Sequence, residues 1–298
     1  MKALITGATG FIGRQLVAKL PGCVVLTRDV SHAKSVLGDA NAYPWDASRE
    51  RPPVAAFQGV DTVFHLAGEP VAEGRWTAAK KKRLKDSRVL PTQNLIAAIG
   101  SLGLRPRTLV CASAIGYYGD RGDETLTEQS PPGTGFLADV CQLWEQEAAR
   151  GRDVGMRVVS VRIGVVLGKH GGALKKMLTP FKLGVGGVLG DGKQWMSWVH
   201  IDDLVNLLLF AAEHPEIEGA MNGVAPAPVT NREFTKTLAA TLHRPAIFPM
   251  PKFAVRAAFG EVADVLLGSQ RVLPQVARER GFEFRFGRLE EALQDIVR

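Results

Sequence analysis

Three glycines near the start of the chain have the spacing of a dinucleotide-binding loop. Gly7, Gly10 and Gly13 lie between an apolar segment, Ala3–Thr6, and a segment whose apolar residues repeat at helical spacing. Such glycines let the backbone turn tightly and approach a pyrophosphate, while the helix N-terminus presents free N–H groups and a positive dipole. Because a predicted strand precedes the glycines and a predicted helix follows them, we predict a dinucleotide site here rather than a purely structural turn. Its cofactor-binding residues are predicted to be Gly7, Thr9, Gly10, Phe11, Ile12 and Gly13.

A basic residue stands where NAD and NADP are usually distinguished. Val24–Thr27 predicts a strand, and Arg28 and Asp29 follow it, roughly twenty residues after the glycine loop. At this position an acidic side chain binds the ribose 2′-OH of NAD, whereas an arginine accommodates the 2′-phosphate of NADP. Arg28 therefore predicts NADP(H) in preference to NAD(H), with an ordinary surface arginine as the alternative.

Polar groups also follow later strands, whose ends would meet in one cleft. Asp46 either contacts the adenine amino group or caps the next turn. Ser113, Tyr117 and Tyr118 follow another strand, so their hydroxyl groups would lie where a substrate binds; alternatively, one ring packs and the other is solvated. The carboxyl end of the fourth strand and the turn that follows it, Gly68–Pro70, should face the cofactor through Leu66, Ala67 and Gly68.

The composition excludes several function classes. The chain has 298 residues and a net charge of +7, which favours anionic ligands. Its densest basic run, Lys80–Arg83, has no accompanying aromatic residues, so we interpret it as a solvated helix face and expect no nucleic-acid partner. Three isolated cysteines and six histidines without ligand spacing predict no metal. Without a membrane-spanning segment or a signal peptide, we expect a cytoplasmic protein with no membrane partner.

These residues must be positioned by a chain that alternates strands and helices. Two consecutive helices are predicted at Trp76–Asp86 and Val89–Leu102, with Ser87 as N-cap of the second. A later helix within Val199–Ala212 has Asp202 as its expected N-cap. The alternation predicts an α/β fold with a Rossmann-type, doubly wound parallel sheet. Its expected strands are Ala3–Thr6, Val24–Thr27, Ala42–Pro44, Thr62–Ala67, Thr108–Ala112 and Arg157–Ile163.

Several motifs together resemble the short-chain dehydrogenase/reductase superfamily in its extended, epimerase-like form. They are TGATGFIG (Thr6–Gly13), HLAG (His65–Gly68), SAIGYYG (Ser113–Gly119), VRIGVVLG (Val161–Gly168) and WVHIDDL (Trp198–Leu204). More narrowly, the chain resembles the atypical "epimerase family" subgroup that carries a C-terminal domain of unknown function. The segments that match it are GEPVAEGRW (Gly68–Trp76), KDSRV (Lys85–Val89), GDGKQWMSWVHIDDL (Gly190–Leu204) and QVARERGFEFRF (Gln275–Phe286).

The resemblance implies a smaller, mainly helical C-terminal lobe that binds a small-molecule substrate. It assigns residues 1–168 with 199–226 to the nucleotide-binding domain, and 169–198 with 227–298 to the lobe. Substrate contacts are expected at Trp195, Ser197 and Trp198, with packing between the lobes as the alternative. By analogy, it also implies a homodimer through the long helices after the fourth and fifth strands.

The active-site signature of the superfamily is altered. Its members use a serine or threonine with a Tyr-x-x-x-Lys pair, in which the lysine charge lowers the pKa of the tyrosine. Here Leu137 stands at the tyrosine position, Cys141 at the lysine position, and Arg88 at that of an upstream asparagine. Arg88 is predicted to bind the cofactor and to supply the lost positive charge to Tyr117 or Tyr118. The candidate catalytic residues are Ser113, Tyr117, Tyr118, Cys141 and Glu69, although a cysteine on a helix is more often a small buried hydrophobic residue.

Three hypotheses follow from this pattern. The first is an NADP(H)-dependent reductase or epimerase, acting on a small carbonyl- or sugar-like substrate with a relocated acid/base. The second is a catalytically inactive regulator whose conformation reports NADPH. The third is an interaction protein that keeps the cofactor for stability, which binding alone supplies by mass action. The retained glycine loop and the hydroxyl groups at the strand ends favour the first.

Overall fold

A parallel sheet of seven strands organises the structure, a computed structural model that describes residues 1–298. The strands of the protein are β1 (Ala3–Thr6), β2 (Val24–Thr27), β3 (Asn41–Pro44), β4 (Thr62–His65), β5 (Thr108–Ala114), β6 (Thr125–Leu126), β7 (Arg157–Ile163), β8 (Val165–Gly168), β9 (Trp195–Met196), β10 (Trp198–His200), β11 (Gly219–Gly223), β12 (Val229–Thr230) and β13 (Arg271–Val272). The main sheet has the order β3-β2-β1-β4-β5-β7-β11. Its order reverses between β1 and β4, so a crevice opens at their carboxyl ends.

Helices cover both faces of this sheet. They are α1 (Phe11–Lys19), α2 (Val30–Leu37), α3 (Ala78–Gly100), α4 (Phe136–Ala149), α5 (Gly172–Lys182), α6 (Ile201–Glu213), α7 (Asn231–Leu242), α8 (Lys252–Phe259), α9 (Ala263–Leu267), α10 (Gln275–Glu279) and α11 (Leu289–Val297). On one face, buried residues of α1 and α6 pack on the strands, among them Leu16 and Leu208. On the other, α3 and α4 contribute Ile99 and Trp144. The doubly wound α/β class expected from the sequence is therefore confirmed.

A third apolar core lies outside the main sheet. It joins α5, β10, α7 and α11 through fully buried side chains such as Leu174, Trp198, Phe234 and Leu293. These elements come from separated parts of the chain, since β10 precedes α6 of the nucleotide-binding half and α11 ends the sequence. The chain therefore leaves the sheet, builds part of this core, returns to the sheet and then completes the core.

Several local predictions were wrong. One helix, α3, replaces the two that were expected, because Thr77 caps its start and Ser87 turns its hydroxyl back to the Leu84 carbonyl inside the helix. Pro91 is buried within α3, where packing compensates for the hydrogen bond that a proline removes. The N-cap of α6 is His200, whose Nδ1 accepts the Asp202 N–H, so Asp202 lies inside the first turn.

Two further features bear on the predicted exclusions. None of the helices combines the length and the apolar character that crossing a bilayer requires. No group of three or more His, Cys, Asp or Glu side chains is arranged to hold a metal ion.

Candidate functional site

The glycine loop after β1 lies directly against the end of β4. Gly7 has a φ of 70°, and a Cβ there would lie 2.8 Å from the carbonyl carbon of Leu66. A Cβ on Gly13 would lie 2.7 Å from Ala8 Cα and closer still to the Gly7 carbonyl oxygen. Gly7 therefore permits the loop to approach β4, and Gly13 permits α1 to approach the loop.

The N-terminus of α1 fits a pyrophosphate. Its N-cap is Gly10, which has no side chain to cap the helix, and no other side chain caps it. The N–H groups of Phe11 and Ile12 in the first turn therefore keep their hydrogen-bonding capacity, and the helix dipole adds positive potential. These are the features that bind the phosphates of a dinucleotide at a helix N-terminus.

A buried polar chain fixes the neighbouring end of β4. Thr6 Oγ1 accepts the N–H groups of Leu66 and Ala67, each at 3.2 Å, and lies 2.7 Å from His65 Nδ1. His65 Nε2 lies 3.0 Å from Thr92 Oγ1. Burial lowers the pKa of His65 to about 4, so the imidazole is neutral and its role is structural. The bonds to Thr6 end β4 at His65, two residues before the predicted end.

The two residues after β2 differ in their hydrogen bonding to the rest of the protein. Asp29 is the N-cap of α2 and accepts the His32 N–H at 2.9 Å. Arg28 is exposed, and no carboxylate or carbonyl of the protein pairs with its guanidinium. The carboxylate is therefore occupied by the helix while the arginine is free for a ligand. Asp46 accepts the Ser48 N–H at 3.3 Å and so caps the next turn, while its contact with adenine stays a prediction.

Arg88 reaches the turn after β4. Its guanidinium donates to the carbonyls of Leu84 at 2.8 Å and Glu69 at 3.0 Å. A Cβ on Gly68 would lie 3.4 Å from Arg88 Cζ, which is ordinary van der Waals contact, so the guanidinium packs directly against this turn. Burial lowers the pKa of Arg88, whereas the negative charge of Glu69 opposes that shift. The charge of Arg88 thus lies near Cys141, which stands at the superfamily's lysine position.

Glu69 is held in its charged form. Its Oε1 accepts from Lys80 Nζ at 2.6 Å and from Arg83 Nε at 3.4 Å. The hydrogen bond from Lys80, together with Arg83, lowers the pKa of Glu69. An ionised, paired carboxylate does not serve as a general acid near neutral pH.

Ser113, at the end of β5, belongs to an ion-paired cluster. Its hydroxyl donates to Glu145 Oε1 at 2.6 Å. Arg162 donates hydrogen bonds to both carboxylate oxygens of Glu145 at 2.9 Å. Burial acts to lower the pKa of Arg162, but the pairing with Glu145 outweighs burial and raises the pKa. Because the proton of the buried Ser113 hydroxyl is donated to Glu145, this oxygen can take part in a further hydrogen bond only as an acceptor.

The two tyrosines of the neighbouring turn have different environments. Tyr118 is fully buried, donates to Asn222 Oδ1 at 2.7 Å and accepts from Arg162 Nη1 at 3.0 Å. Burial raises the pKa of Tyr118 to about 12. The Tyr117 ring stacks on Arg162, whose Cζ lies 3.4 Å from its centroid, while its half-buried hydroxyl has no partner in the protein. Tyr117 therefore has the hydroxyl that is open to a ligand.

Close packing surrounds Leu137 and Cys141, which stand at the superfamily's tyrosine and lysine positions. A Cβ on Gly116 would lie 3.2 Å from Leu137 Cβ and 3.7 Å from Cys141 Sγ. Burial, reinforced by the Glu145 charge, raises the pKa of Cys141 to about 11, so its thiol stays protonated and unreactive.

The three predicted substrate residues differ in how far they are buried. Trp198 is fully buried in the third core, with its indole N–H donated to the Ala227 carbonyl at 3.0 Å. Ser197 is also buried and donates to the Gln270 carbonyl at 2.8 Å. Both side chains are therefore engaged in packing, which was the alternative to substrate contact. Trp195 is half-buried, bonded to Asp123 and stacked under Arg271, so it retains an accessible ring.

Three residues of this region were missed at the level of sequence. Glu145 and Asn222 complete the cluster around Ser113 and Tyr118, while Gln270 Nε2 donates to the carbonyls of Ile115 and Gly119 and so holds the tyrosine turn. For Glu145 a signal existed, because it lies four residues after Cys141 on the same face of α4. Nothing local in the sequence marks Asn222 or Gln270.

Comparison with known proteins agrees with this geometry. A model described as "NAD dependent epimerase/dehydratase family" matches residues 3–222, and a "Domain of unknown function (DUF1731)" matches residues 250–296. The chain belongs to the NAD-dependent epimerase/dehydratase family. The predicted resemblance to epimerase-like members of the superfamily, including the C-terminal domain, is confirmed.

Relatives match over the whole chain. "Epimerase family protein SDR39U1 homolog, chloroplastic" from Arabidopsis thaliana is 43% identical over 305 residues, covering 100% of this chain and 87% of its own length. The structure of human epimerase family protein SDR39U1 (isoform2) with NADPH has a TM-score of 0.89 and 34% identity, covering 100% and 99% of the two chains. UDP-glucose 4-epimerase from Thermotoga maritima, with UDP-glucose, is 21% identical with a TM-score of 0.81, over 100% and 97%, and so shares the fold. Since one relative is named chloroplastic, the cytoplasmic location stays a prediction.

Proposed function

We propose that this chain binds NADP(H) in preference to NAD(H) and is a reductase or epimerase for a small carbonyl- or sugar-like substrate. One observation carries the cofactor assignment: α1 begins uncapped at Gly10, while Arg28 is unpaired and Asp29 is engaged by α2. The human relative crystallised with NADPH supports it. Arg28 would hold the 2′-phosphate, and the N–H groups of Phe11 and Ile12 would hold the pyrophosphate.

The same proposal divides the chain between two tasks. Residues 1–168 with 199–226 bind the dinucleotide, and 169–198 with 227–298 form the substrate lobe. The separate apolar core of α5, α7 and α11 supports this division. Trp195 would contact the substrate from the lobe.

Tyr117 is the proposed proton donor or acceptor. When bound, the nicotinamide supplies or accepts a hydride, and this chain must move the accompanying proton. The Tyr117 hydroxyl has no protein partner, and Arg162 holds its ring in place. Ser113 would accept a hydrogen bond from the substrate, because its own proton is bonded to Glu145. Arg88 would supply positive charge near the nicotinamide ribose.

A second candidate function is an NADPH-binding regulator without turnover. It is favoured by the closed packing of Leu137 on Gly116 and by the protonated thiol of Cys141, which together fill the usual catalytic positions. The two candidates share the cofactor site and differ in whether any substrate is turned over.

Titrations with NADPH and with NADH, followed by fluorescence, test the cofactor assignment. A charge-assisted bond to phosphate is worth about 1.5–3 kcal/mol, so Arg28→Ala should weaken NADPH binding about tenfold or more and leave NADH binding unchanged. Arg51→Ala, which removes another exposed arginine, is the matched control. If Arg28→Ala weakens the binding of both nucleotides equally, Arg28 does not bind the 2′-phosphate. If neither nucleotide binds the wild type, the glycine loop has only a structural role.

A further inference from the structure

Large apolar side chains that are exposed to solvent gather in one part of the C-terminal lobe. The molecule has twelve such side chains, and eight of them lie between residues 183 and 265. They are Leu183, Val185, Ile247, Phe248, Met250, Phe253, Phe259 and Val265. Single exposed apolar residues are normal on protein surfaces, whereas a contiguous group of them marks an interaction site.

Backbone contacts bring two distant segments of this group together. The Met250 N–H donates to the Val188 carbonyl and the Gly190 N–H to the Met250 carbonyl, each at 2.9 Å. At the other end, Arg244 Nε donates to the Lys182 carbonyl at 3.1 Å. Residues 182–190 therefore run beside residues 244–252, and α8 continues directly from the second segment.

Basic residues accompany the apolar ones, and acidic residues lie only at the borders of the two segments, at Asp191, Glu261 and Asp264. Residues 169–190 and 243–260 contain no Asp or Glu. Their seven lysines and arginines are Lys169, Lys175, Lys176, Lys182, Arg244, Lys252 and Arg256. Of those beside the apolar group, Lys252 pairs with Asp191 of the intervening chain, while Lys182 and Arg256 are exposed without a side-chain partner.

We propose that this surface docks on an anionic lipid bilayer. The surface, here called the apolar–basic face, comprises Leu183, Val185, Ile247, Phe248 and Phe253 together with Lys182 and Arg256. Exposed Phe, Leu and Ile side chains enter the boundary between headgroups and acyl chains, while Lys and Arg contact lipid phosphates. This mode of contact requires no membrane-spanning helix.

A bilayer suits this face better than a protein partner. Phe253, on the first turn of α8, is 76% exposed, and the other four apolar residues lie on loops. Apolar side chains that protrude from loops and from one short helix can enter a fluid surface without a groove of matching shape. The sequence predicted no membrane partner because it contains no membrane-spanning segment. The two segments of this face are about sixty residues apart, and only the fold makes them one surface.

Vesicle co-sedimentation of the NADPH-loaded chain tests this proposal. The probes are vesicles of phosphatidylcholine alone and vesicles with about 30 mol% phosphatidylglycerol. We expect about tenfold more binding to the anionic vesicles, loss of that binding in Phe253→Ser combined with Leu183→Ser, and clear weakening in Lys182→Glu combined with Arg256→Glu. Raised salt should weaken binding of the wild type.

Matched controls make other results decisive. Leu104→Ser removes an apolar side chain that is 94% exposed elsewhere, and Lys85→Glu reverses an exposed charge on α3. Both should retain vesicle binding, and every variant should bind NADPH like the wild type. Absence of anionic vesicle binding, or equal losses in the controls, would overturn the proposal. So would a concentration-dependent dimer that Phe253→Ser dissociates without any vesicle binding, because the face would then join two copies of the chain.

Discussion

At the residue scale, the adjacent tyrosines after β5 should respond differently to the loss of one oxygen. Tyr118→Phe leaves Asn222 Oδ1 and an Arg162 N–H without their buried partner, so the free energy of unfolding should fall by about 1–3 kcal/mol. Tyr117→Phe removes a hydroxyl that bonds to nothing in the protein, and stability should change by less than about 0.5 kcal/mol. Urea unfolding of both variants measures the difference.

Activity should show the reverse order. In a screen of NADPH oxidation with carbonyl compounds, Tyr117→Phe should lose about a hundredfold or more in turnover of any substrate found. Tyr118→Phe should keep its turnover once its lower stability is allowed for. If neither substitution changes turnover, the proton is moved by another group.

His65 should make stability depend on pH. Its pKa is about 4 in the folded state against 6.5 for the ordinary side chain, so the unfolded chain binds the proton more tightly. Stability is therefore fully present above pH 6.5 and is lost as pH falls, by about 3 kcal/mol at pH 4 from this residue. In urea unfolding between pH 7 and 4, the free energy of unfolding should change less steeply with pH for His65→Gln than for the wild type. Parallel slopes would exclude a buried neutral His65.

At the element scale, Gly13 decides how closely α1 can approach the loop before it. Inside a helix, Gly→Ala normally stabilises by about 0.5–1 kcal/mol. Here the new Cβ would push on the backbone of Ala8 and Gly7, so Gly13→Ala should destabilise by about 2 kcal/mol and abolish dinucleotide binding. Thermal unfolding and an NADPH titration test both effects. In Gly103→Ala, whose Cβ would meet no atom within 4 Å, neither property should change.

Elements with strong local signals could be predicted, and those fixed by long-range contacts could not. β1 and β2 have runs of buried apolar residues, and their bounds match the prediction. β11 reads GAMNG, with two glycines and an asparagine, and is a strand because it pairs with β7. Ser87 resembles an N-cap in the sequence, yet packing along α3 overrides that preference.

The residues of the candidate site likewise fall into those with a local requirement and those fixed by long-range contacts. The loop glycines could be predicted, because their conformational requirement is local. The commitment of the Ser113 proton to Glu145 could not, since it depends on how α4 packs on β5. Nor could the sequence distinguish Trp195 from Trp198, which are three residues apart, because only the third core decides which indole is buried.

At the scale of the whole molecule, the end of the chain is tied to the start of α6. The buried carboxylate of Asp203 accepts the N–H groups of Arg285 at 3.0 Å and Phe286 at 2.9 Å. The His200 ring lies 3.9 Å from that of Phe286, and His200 Nε2 lies 3.4 Å from Asp295 on α11. These contacts join the third core to the nucleotide-binding half, and one carboxylate of α6 holds the backbone that leads into α11.

Asp203→Ala should therefore release the C-terminal segment as well as destabilise the protein. One buried and one partly buried N–H group lose their acceptor, at a cost of about 1–3 kcal/mol, and hydrogen exchange at residues 285–296 should rise more than elsewhere. Asp202→Ala is the matched control, because it removes a carboxylate from the same helix turn and with it only a half-exposed pair with Arg285. Equal exchange in both variants would mean that negative charge on this helix turn, through pairs such as Asp202–Arg285, holds the segment instead of the two hydrogen bonds.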